Sequence, residues 1–272
     1  PGVPYIGTLV LPPPGGGTAT IDIELLALDL SSNDIYELVL EADLDGDGVF
    51  EPLSIIPVEA DFGPNPDAGG CDNFDSYAAD SQVAGQGGWQ GWDSNNAAGA
   101  LISTVTAHSA PNSVAIVGAS DLVHPYTAAS SGRWVLKAWQ YVPSDFVSHC
   151  DGQGNCGSYF MLLNTYQDGG PYSWTVQLHA DSVTHTLIRD DATPASLPLI
   201  QGTWAEVKTV IDLDQDWFRV FYQGTELGAQ GSWTGAFPGQ ITSGVLNMGA
   251  LDLYANQSTV VYYDDVCLSL VT

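Results

Sequence analysis

Positive charge is what this sequence has least of. Five residues (Arg133, Lys137, Arg189, Lys208 and Arg219) are basic against 32 acidic ones, a formal net charge of −27, and the first 132 residues contain no lysine or arginine. A surface of that sign works against nucleic acid and anionic membranes as partners, because both need cations opposite them. It suits a medium rich in salt or divalent cations, where self-repulsion is screened. No apolar run reaches the 18 or so residues of a membrane span. The chain begins at Pro1 rather than Met, as expected if an export signal has been removed.

Cysteine is also scarce. Four are present, beside Gly, Asn and Asp, and an even number in such loops favours disulfides in an oxidising compartment. Zinc is the alternative for His149, Cys150 and Cys156, but HCDGQGNC lacks a second C-x-x-C or H-x-x-x-H half. The expected location is extracellular or at the cell surface.

Helical periodicity of 3.6 residues is nowhere sustained. Strand-length alternating runs are instead separated by Gly, Asn, Asp and Pro. Along 133–142, Trp134, Leu136, Ala138 and Val142 share one face, with Lys137, Trp139 and Tyr141 on the other. Along 172–180, Tyr172, Trp174, Val176 and Leu178 are read as the core face, with Thr175, Gln177 and His179 opposite. Along 204–213 the core face is Ala205, Val207, Thr209, Ile211 and Leu213, with Glu206 and Lys208 opposite. Long strands with one polar face predict an all-β, two-sheet antiparallel jelly-roll sandwich.

Four segments are expected: an extended arm (1–17), a small β segment (18–62), a linker (63–70, GPNPDAGG) and the sandwich (71–272). The arm is apolar on both alternating faces and ends in PPPGGG, a hinge. Val3, Tyr5, Leu9 and Leu11 are therefore candidates for donating a strand to the edge of a second copy of the chain.

The sharpest local motif is ADLDGDGVFE, residues 42–51. Asp43, Asp45 and Asp47 place oxygen ligands at alternate positions, Gly48 permits a sharp turn, Val49 offers its carbonyl and Glu51 closes the set. Ser54 stands where a helical calcium loop needs its bidentate Glu, and the flanks are strand-like. The expected cofactor is calcium, in a β–loop–β site.

QGTWAEVKTVIDLDQDWFRVFYQGTELG (201–228) and LDLYANQSTVVYYDDVCLSL (251–270) resemble paired and closing strands of the concanavalin A-like, laminin-G-type jelly rolls. The resemblance implies that the first and last strands of 71–272 run side by side. Cys71 is then expected to pair with Cys267, leaving Cys150 and Cys156 to close the short loop DGQGN. That fold hosts lectins, adhesion modules, lyases and hydrolases alike.

Catalytic motifs are missing. There is no G-x-S-x-G, phosphate loop, H-E-x-x-H or E-x-D-x-(x)-E strand, and Glu206 and Glu226 are the only glutamates after Glu59. No single strand presents two carboxylates beside aromatics, and Asp264 and Asp265, being neighbours, are expected on opposite faces. Gln177-Leu178-His179 is similar to the Q-x-H strand of jelly-roll alginate lyases, but the arginine-rich and tyrosine-lysine strands of those enzymes have no counterpart. No residue is assigned a catalytic role.

What remains is a polar face. Lys137, Trp139, Tyr141, Gln177, His179, Glu206 and Lys208 are the candidate glycan-binding residues. In GQGGWQGWD (85–93), Trp89 reads as a pin that closes the fold, while the role of Trp92 stays open. The expected function is a structural or adhesive, non-catalytic extracellular protein, a subunit that self-assembles through its arm. The alternative is a carbohydrate-binding module of a secreted glycan-degrading system, with a polysaccharide lyase or hydrolase further off.

Overall fold

The computed structural model describes residues 36–42, 51–58, 70–127, 129–150, 157–190, 194–235 and 244–271. The arm residues Val3, Tyr5, Leu9 and Leu11 lie outside them, as do Asp43, Asp45, Asp47 and Val49. The chain divides into two compact units, the second spanning Phe62–Val271.

In the first unit, β1 (Tyr36–Ala42) pairs antiparallel with β2 (Glu51–Val58). Ala42 faces Glu51 in that register, so the acidic segment is the connection of a β-hairpin.

The second unit is a two-sheet sandwich. Its strands are β3 (Gly70–Asp72), β4 (Gln90–Gly91), β5 (Leu101–Ser103), β6 (Ser113–Ile116), β7 (Asp121–Pro125), β8 (Arg133–Tyr141), β9 (Ser158–Thr165), β10 (Ser173–Asp181), β11 (Thr186–Arg189), β12 (Ala195–Pro198), β13 (Trp204–Asp212), β14 (Trp217–Tyr222), β15 (Thr225–Glu226), β16 (Ala250–Tyr254) and β17 (Val261–Val271). One sheet has the order β12-β11-β10-β9-β16-β7-β4 and the other β15-β14-β13-β8-β17-β6-β5, with β3 also paired to β17. Every pairing between these strands is antiparallel.

The core lies between the sheets. The two-residue period of β8 sends Trp134, Leu136 and Ala138 inward, and that of β13 sends Ala205, Val207 and Ile211 to meet them. Phe160, Leu162, Val176, Leu178, Leu251 and Leu253 answer from the opposite sheet. Each such Leu, Ile, Val or Phe side chain contributes about 1.5–3 kcal/mol through burial. Gln140 and Arg189 are among the polar groups that share this interior. Gln140 Nε2 donates to Tyr263 Oη at 2.8 Å, while its Oε1 has no partner. Arg189, fully buried, donates to the carbonyls of Leu227 (2.9 Å) and Ala229 (2.7 Å) and lies 4.8 Å from the centre of the Phe218 ring.

Trp89 is a pin. It is buried in the core, and its indole N–H donates to Asp72 Oδ2 at 2.8 Å, the oxygen that also accepts from Tyr77 Oη at 2.5 Å. Gly87 in the same turn has φ +55°, and a Cβ there would stand 1.8 Å from Tyr77 Oη, so the network needs glycine. Next to Asp72, Cys71 is bonded to Cys267 across 196 residues, and the two are register partners on β3 and β17. Cys150 is disulfide-bonded as well, which removes it as a zinc thiolate; Cys156 lies outside the described residues.

Replacing Cys71 and Cys267 with serine is expected to lower the unfolding free energy by about 2–5 kcal/mol, read from urea denaturation. A loss below the error of that measurement contradicts the assignment of this bond as the tie between the opening and closing strands.

Candidate functional site

Strand alternation fails at one place on β10, and the site follows from it. Trp174 faces Leu163, but the next pairing is Val176 with Leu162, so Thr175 is an extra residue; one pairing earlier, where Ser173 faces Thr165, Asn164 is skipped on β9. Both extra residues turn inward. Asn164 Nδ2 donates to Thr175 Oγ1 (2.9 Å), and Thr175 Oγ1 donates to the carbonyl of Trp233 (2.8 Å). The expected core face of residues 172–180 is corrected accordingly. Val176 and Leu178 point inward, whereas Tyr172 and Trp174 point out, because the bulge shifts the period by one.

On the outward face these two rings join Trp92 and Tyr166 over a small apolar floor of Val123, Leu163 and Ala250. Trp92 stacks on Trp174 with centroids 5.7 Å apart and planes 10° apart, and lies 4.7 Å from Tyr172 and 5.1 Å from Tyr166. A short turn, Trp92–Ser94, carries Trp92 there. Gly91 must be glycine, since a Cβ would sit 2.0 Å from the carbonyl oxygen of Asn95. The turn is tied to the 166–172 loop: Asp93 N–H donates to Tyr166 Oη (3.0 Å), Gly169 N–H to Asp93 Oδ1 (2.9 Å) and Gln90 Nε2 to Asp168 Oδ1 (2.7 Å). Hydrogen bonds from Ser94 first, with Tyr166 and Gln90 adding to them, hold the Asp168 carboxyl below the usual range.

The strand registers lay this outward face out in rows. Trp174, Leu163, Ala250 and Pro125 form one, Gln177, Met161, Asp252 and Val123 the next, and His179, Tyr159, Tyr254 and Asp121 the third. Adjacent members stand on strands about 4.8 Å apart. His179 Nδ1 lies 2.5 Å from Asp190 Oδ2, and Asp190 is held by its own N–H donating to the Gln177 carbonyl at 2.9 Å. The side chains of Asp121 and Asp252 hydrogen-bond each other. Asp252 is 1% exposed, between Val123 and Met161 in its row, and its Oδ1 has no partner outside the pair. Burial first, then the neighbouring Asp121, pushes the Asp252 carboxyl well above the usual range. Burial raises Asp121 to about 6, with the Asp93 charge adding to it.

The expected single glycan face is two faces. Gln177 and His179 lie on the outward side of the β12-to-β4 sheet, whereas Lys137, Trp139, Tyr141, Glu206 and Lys208 lie on the outward side of the other, with the core between. Residues read as polar sides of separate strands share a surface only if their strands share a sheet, and β10 does not pair with β8 or β13. On that second face Trp204, Tyr141 and Tyr262 form a row, and Lys208 stands opposite Lys137.

Asp264 and Asp265 also depart from expectation. A bulge between Asp264 and Cys267 lets both reach one turn. Asp264 Oδ2 accepts the N–H of His108 (2.7 Å) and of Ser109 (2.9 Å), while Asp265 meets His108 Nδ1 at 2.6 Å and Ser109 Oγ at 2.9 Å. His108 in turn stacks 3.8 Å above Trp139. Burial raises the Asp264 carboxyl to about 6. The Asp121–Asp252 pair carries no signal in either strand alone, because the two carboxyls come from β7 and β16.

No family model and no curated protein matches this chain. Solved structures do. The cellulose-induced protein Cip1 matches at 15% identity over 62% of this chain and 84% of its own, with a TM-score of 0.43. A Trypanosoma rangeli sialidase matches at 13% over 64% of this chain, TM-score 0.42, and the Caenorhabditis elegans galectin LEC-6 at 10% over 54%, TM-score 0.35. The chain spans 28% of the sialidase and 89% of the galectin. At these values the matches assign no ligand or reaction. They correct one expectation: enzymes stand among the structures to which the chain is similar, so the non-catalytic reading is not kept.

The raised carboxyls fix a sign. Asp121 and Asp264 have folded values of about 6 against about 3.9 unfolded. Between those values the folded state binds more protons, so stability falls as pH rises from about 4 to about 6. The opposite contributions of Asp168, Asp181 and Glu226, whose values are lowered, are lost only as pH drops below the ordinary carboxylate range. The melting temperature is expected to decline across that window, and less steeply in Asp121→Asn. A decline equally steep in the variant contradicts the role given to Asp121.

Proposed function

We propose that this chain is an extracellular glycan-binding β-sandwich whose binding surface is the outward face of the β12-to-β4 sheet. One observation carries the reading. The bulge on β10 brings Trp174 beside Trp92, Tyr166 and Tyr172, next to rows that offer Gln177, His179, Tyr254 and Asp121. Aromatic faces stack on the C–H sides of sugar rings, and side-chain amides, imidazoles and carboxyls take their hydroxyls. The ligand class is neutral. Among the described residues this face carries no lysine or arginine, because the one basic residue on its strands, Arg189, is buried in the core.

Calorimetric titration with neutral hexaoses of β-1,4-linked glucose, mannose and xylose tests this. Wild type is expected to bind at least one of the three, and Trp174→Ala to bind it about tenfold more weakly, a stacking contact worth about 1.4 kcal/mol. Trp139→Ala, on the opposite sheet, should leave affinity unchanged. If none of the hexaoses binds, or if the two variants behave alike, the reading is wrong. Assaying the same mixtures for new reducing ends or unsaturated products reads out turnover.

We propose also that the connection between β1 and β2 holds one calcium ion through Asp43, Asp45, Asp47, the Val49 carbonyl and Glu51. The alternating oxygen ligands in the sequence and the antiparallel pairing of the two strands that flank them support it. Chelation is expected to speed proteolysis within residues 36–58 and to leave the sandwich intact. A cleavage rate unaffected by chelator rules the ion out.

A further inference from the structure

Two like charges set directly opposite each other on neighbouring strands destabilise a sheet. Lys137 and Lys208 are such a pair, register partners on β8 and β13. In a sequence with 32 acidic residues to five basic ones, two cations meet across this register instead of a cation and an acid. They stand on the outward face of the β15-to-β5 sheet, opposite in the sandwich to the face that carries Trp174. Beyond Lys208 its register partner is Phe221, whose ring centre lies 4.7 Å from Lys208 Nζ and 5.2 Å from the Arg219 guanidinium. Arg219 is met by Glu226 at 2.7 Å. On the other side of Lys137 stands Cys267, which is bonded to Cys71 and carries no charge.

An aromatic shelf continues the same face along β8. Trp139, two residues from Lys137, lies under the His108 ring with centroids 3.8 Å apart. Two residues farther, Tyr141 is the register partner of both Trp204 and Tyr262, with ring centroids 5.5 and 6.2 Å away. Trp204 also lies 5.9 Å from His108. Lys137, Lys208, Tyr141 and Trp204 are half-buried, so each presents part of its side chain outward. Four residues of strand, at about 3.4 Å each, separate the lysine pair from the Tyr141 row by about 14 Å. The acids beside this line are Glu206, opposite Trp139, and Asp265, which is engaged by His108 at 2.6 Å.

We propose that this second face binds an acidic oligosaccharide, with a uronate carboxylate between Lys137 and Lys208 and a sugar ring against Tyr141 and Trp204. An anion held between two ammonium groups turns their mutual repulsion into two attractions. Indole and phenol faces take the C–H sides of sugar rings, and the Glu206 carboxylate between the two ends accepts from ring hydroxyls. A single sugar does not span from the shelf to the lysines, so the ligand is a chain of rings. A short acidic sugar also suits the charge better than a second copy of the chain, whose net charge of −27 would be set against an equal one. The site shares no residue with the face proposed for neutral glycans and does not depend on that reading.

Calorimetric titration of the intact chain with hexamers of galacturonic, glucuronic and mannuronic acid, in salt of about 0.15 M, tests the proposal. Wild type is expected to bind at least one. Lys137→Gln, Lys208→Gln and Trp204→Ala are each expected to bind it about tenfold more weakly, and Lys137→Arg to bind it as wild type does. The same hexamer with its carboxyls methyl-esterified, and so uncharged, should not bind. Binding of none of the three acids overturns the proposal, as does binding that survives both lysine-to-glutamine changes or that the ester matches. Sedimentation of wild type without sugar covers the rival occupant: a dimer that Lys137→Gln and Lys208→Gln break apart assigns the face to a second copy and overturns the sugar. Melting temperatures of the glutamine variants, expected to match or exceed wild type because each removes a cross-strand repulsion, show that lost affinity is not unfolding.

Discussion

Successive side chains of a strand must point to opposite sides of its sheet, and the sandwich departs from that rule where β10 meets β9 and on β17. The rule alone builds the core, since β8 and β13 send every second residue inward without interruption. The bulge at Thr175 breaks it on β10 and puts Trp174 on the surface side with Gln177 and His179. The bulge after Asp264 breaks it on β17 and lets two adjacent carboxylates grip the His108–Ser109 turn. Both irregularities are stabilised by buried or half-buried hydrogen bonds to side chains, so they are fixed features of the fold rather than slack in it.

That dependence sets what could be read from the residues in order. The strands of 133–142 and 204–213 were legible because their period is unbroken and their inward positions, Gln140 apart, are apolar or small. Trp89 was legible as a pin because glycines on either side leave room for one ring to enter the core. Trp92, three residues later, was not, since its place depends on a turn that docks on a loop more than 70 residues away. Thr175 looks like an ordinary outward polar residue; nothing in its neighbours announces that Asn164 on the paired strand will be skipped one pairing earlier. Asp121 and Asp252 lie 131 residues apart and meet through pairing alone. A reader of single strands sees two unremarkable aspartates. The lesson is physical: period within a strand is local information, while register between strands is not.

Charge divides the two surfaces of the sandwich. The four basic residues that are not in the core, Arg133, Lys137, Lys208 and Arg219, all project from the outward side of β8, β13 and β14. Two of them are engaged by acids there, Arg133 by Asp212 at 3.0 Å and Arg219 by Glu226 at 2.7 Å. The opposite surface is left to aspartates and neutral groups. In a chain of net charge −27, a surface stripped of cations is poorly suited to an acidic polysaccharide, whereas uncharged hydroxyls meet no such barrier.

A buried acid pair is an odd choice for the middle of a sheet. An apolar residue at position 252 would continue the floor formed by Val123, Leu163 and Ala250 and would avoid the cost of desolvating a carboxyl. What the pair holds instead is the diagonal between β7 and β16, beside the aromatic cluster. Trp92 stacks on Trp174 over a floor that runs from Leu163 on β9 and Ala250 on β16 to Val123 on β7, two residues from Asp121. The aromatic wall therefore spans the face from β10 to β7, and the charge of Asp93, one residue beyond Trp92, is felt at Asp121.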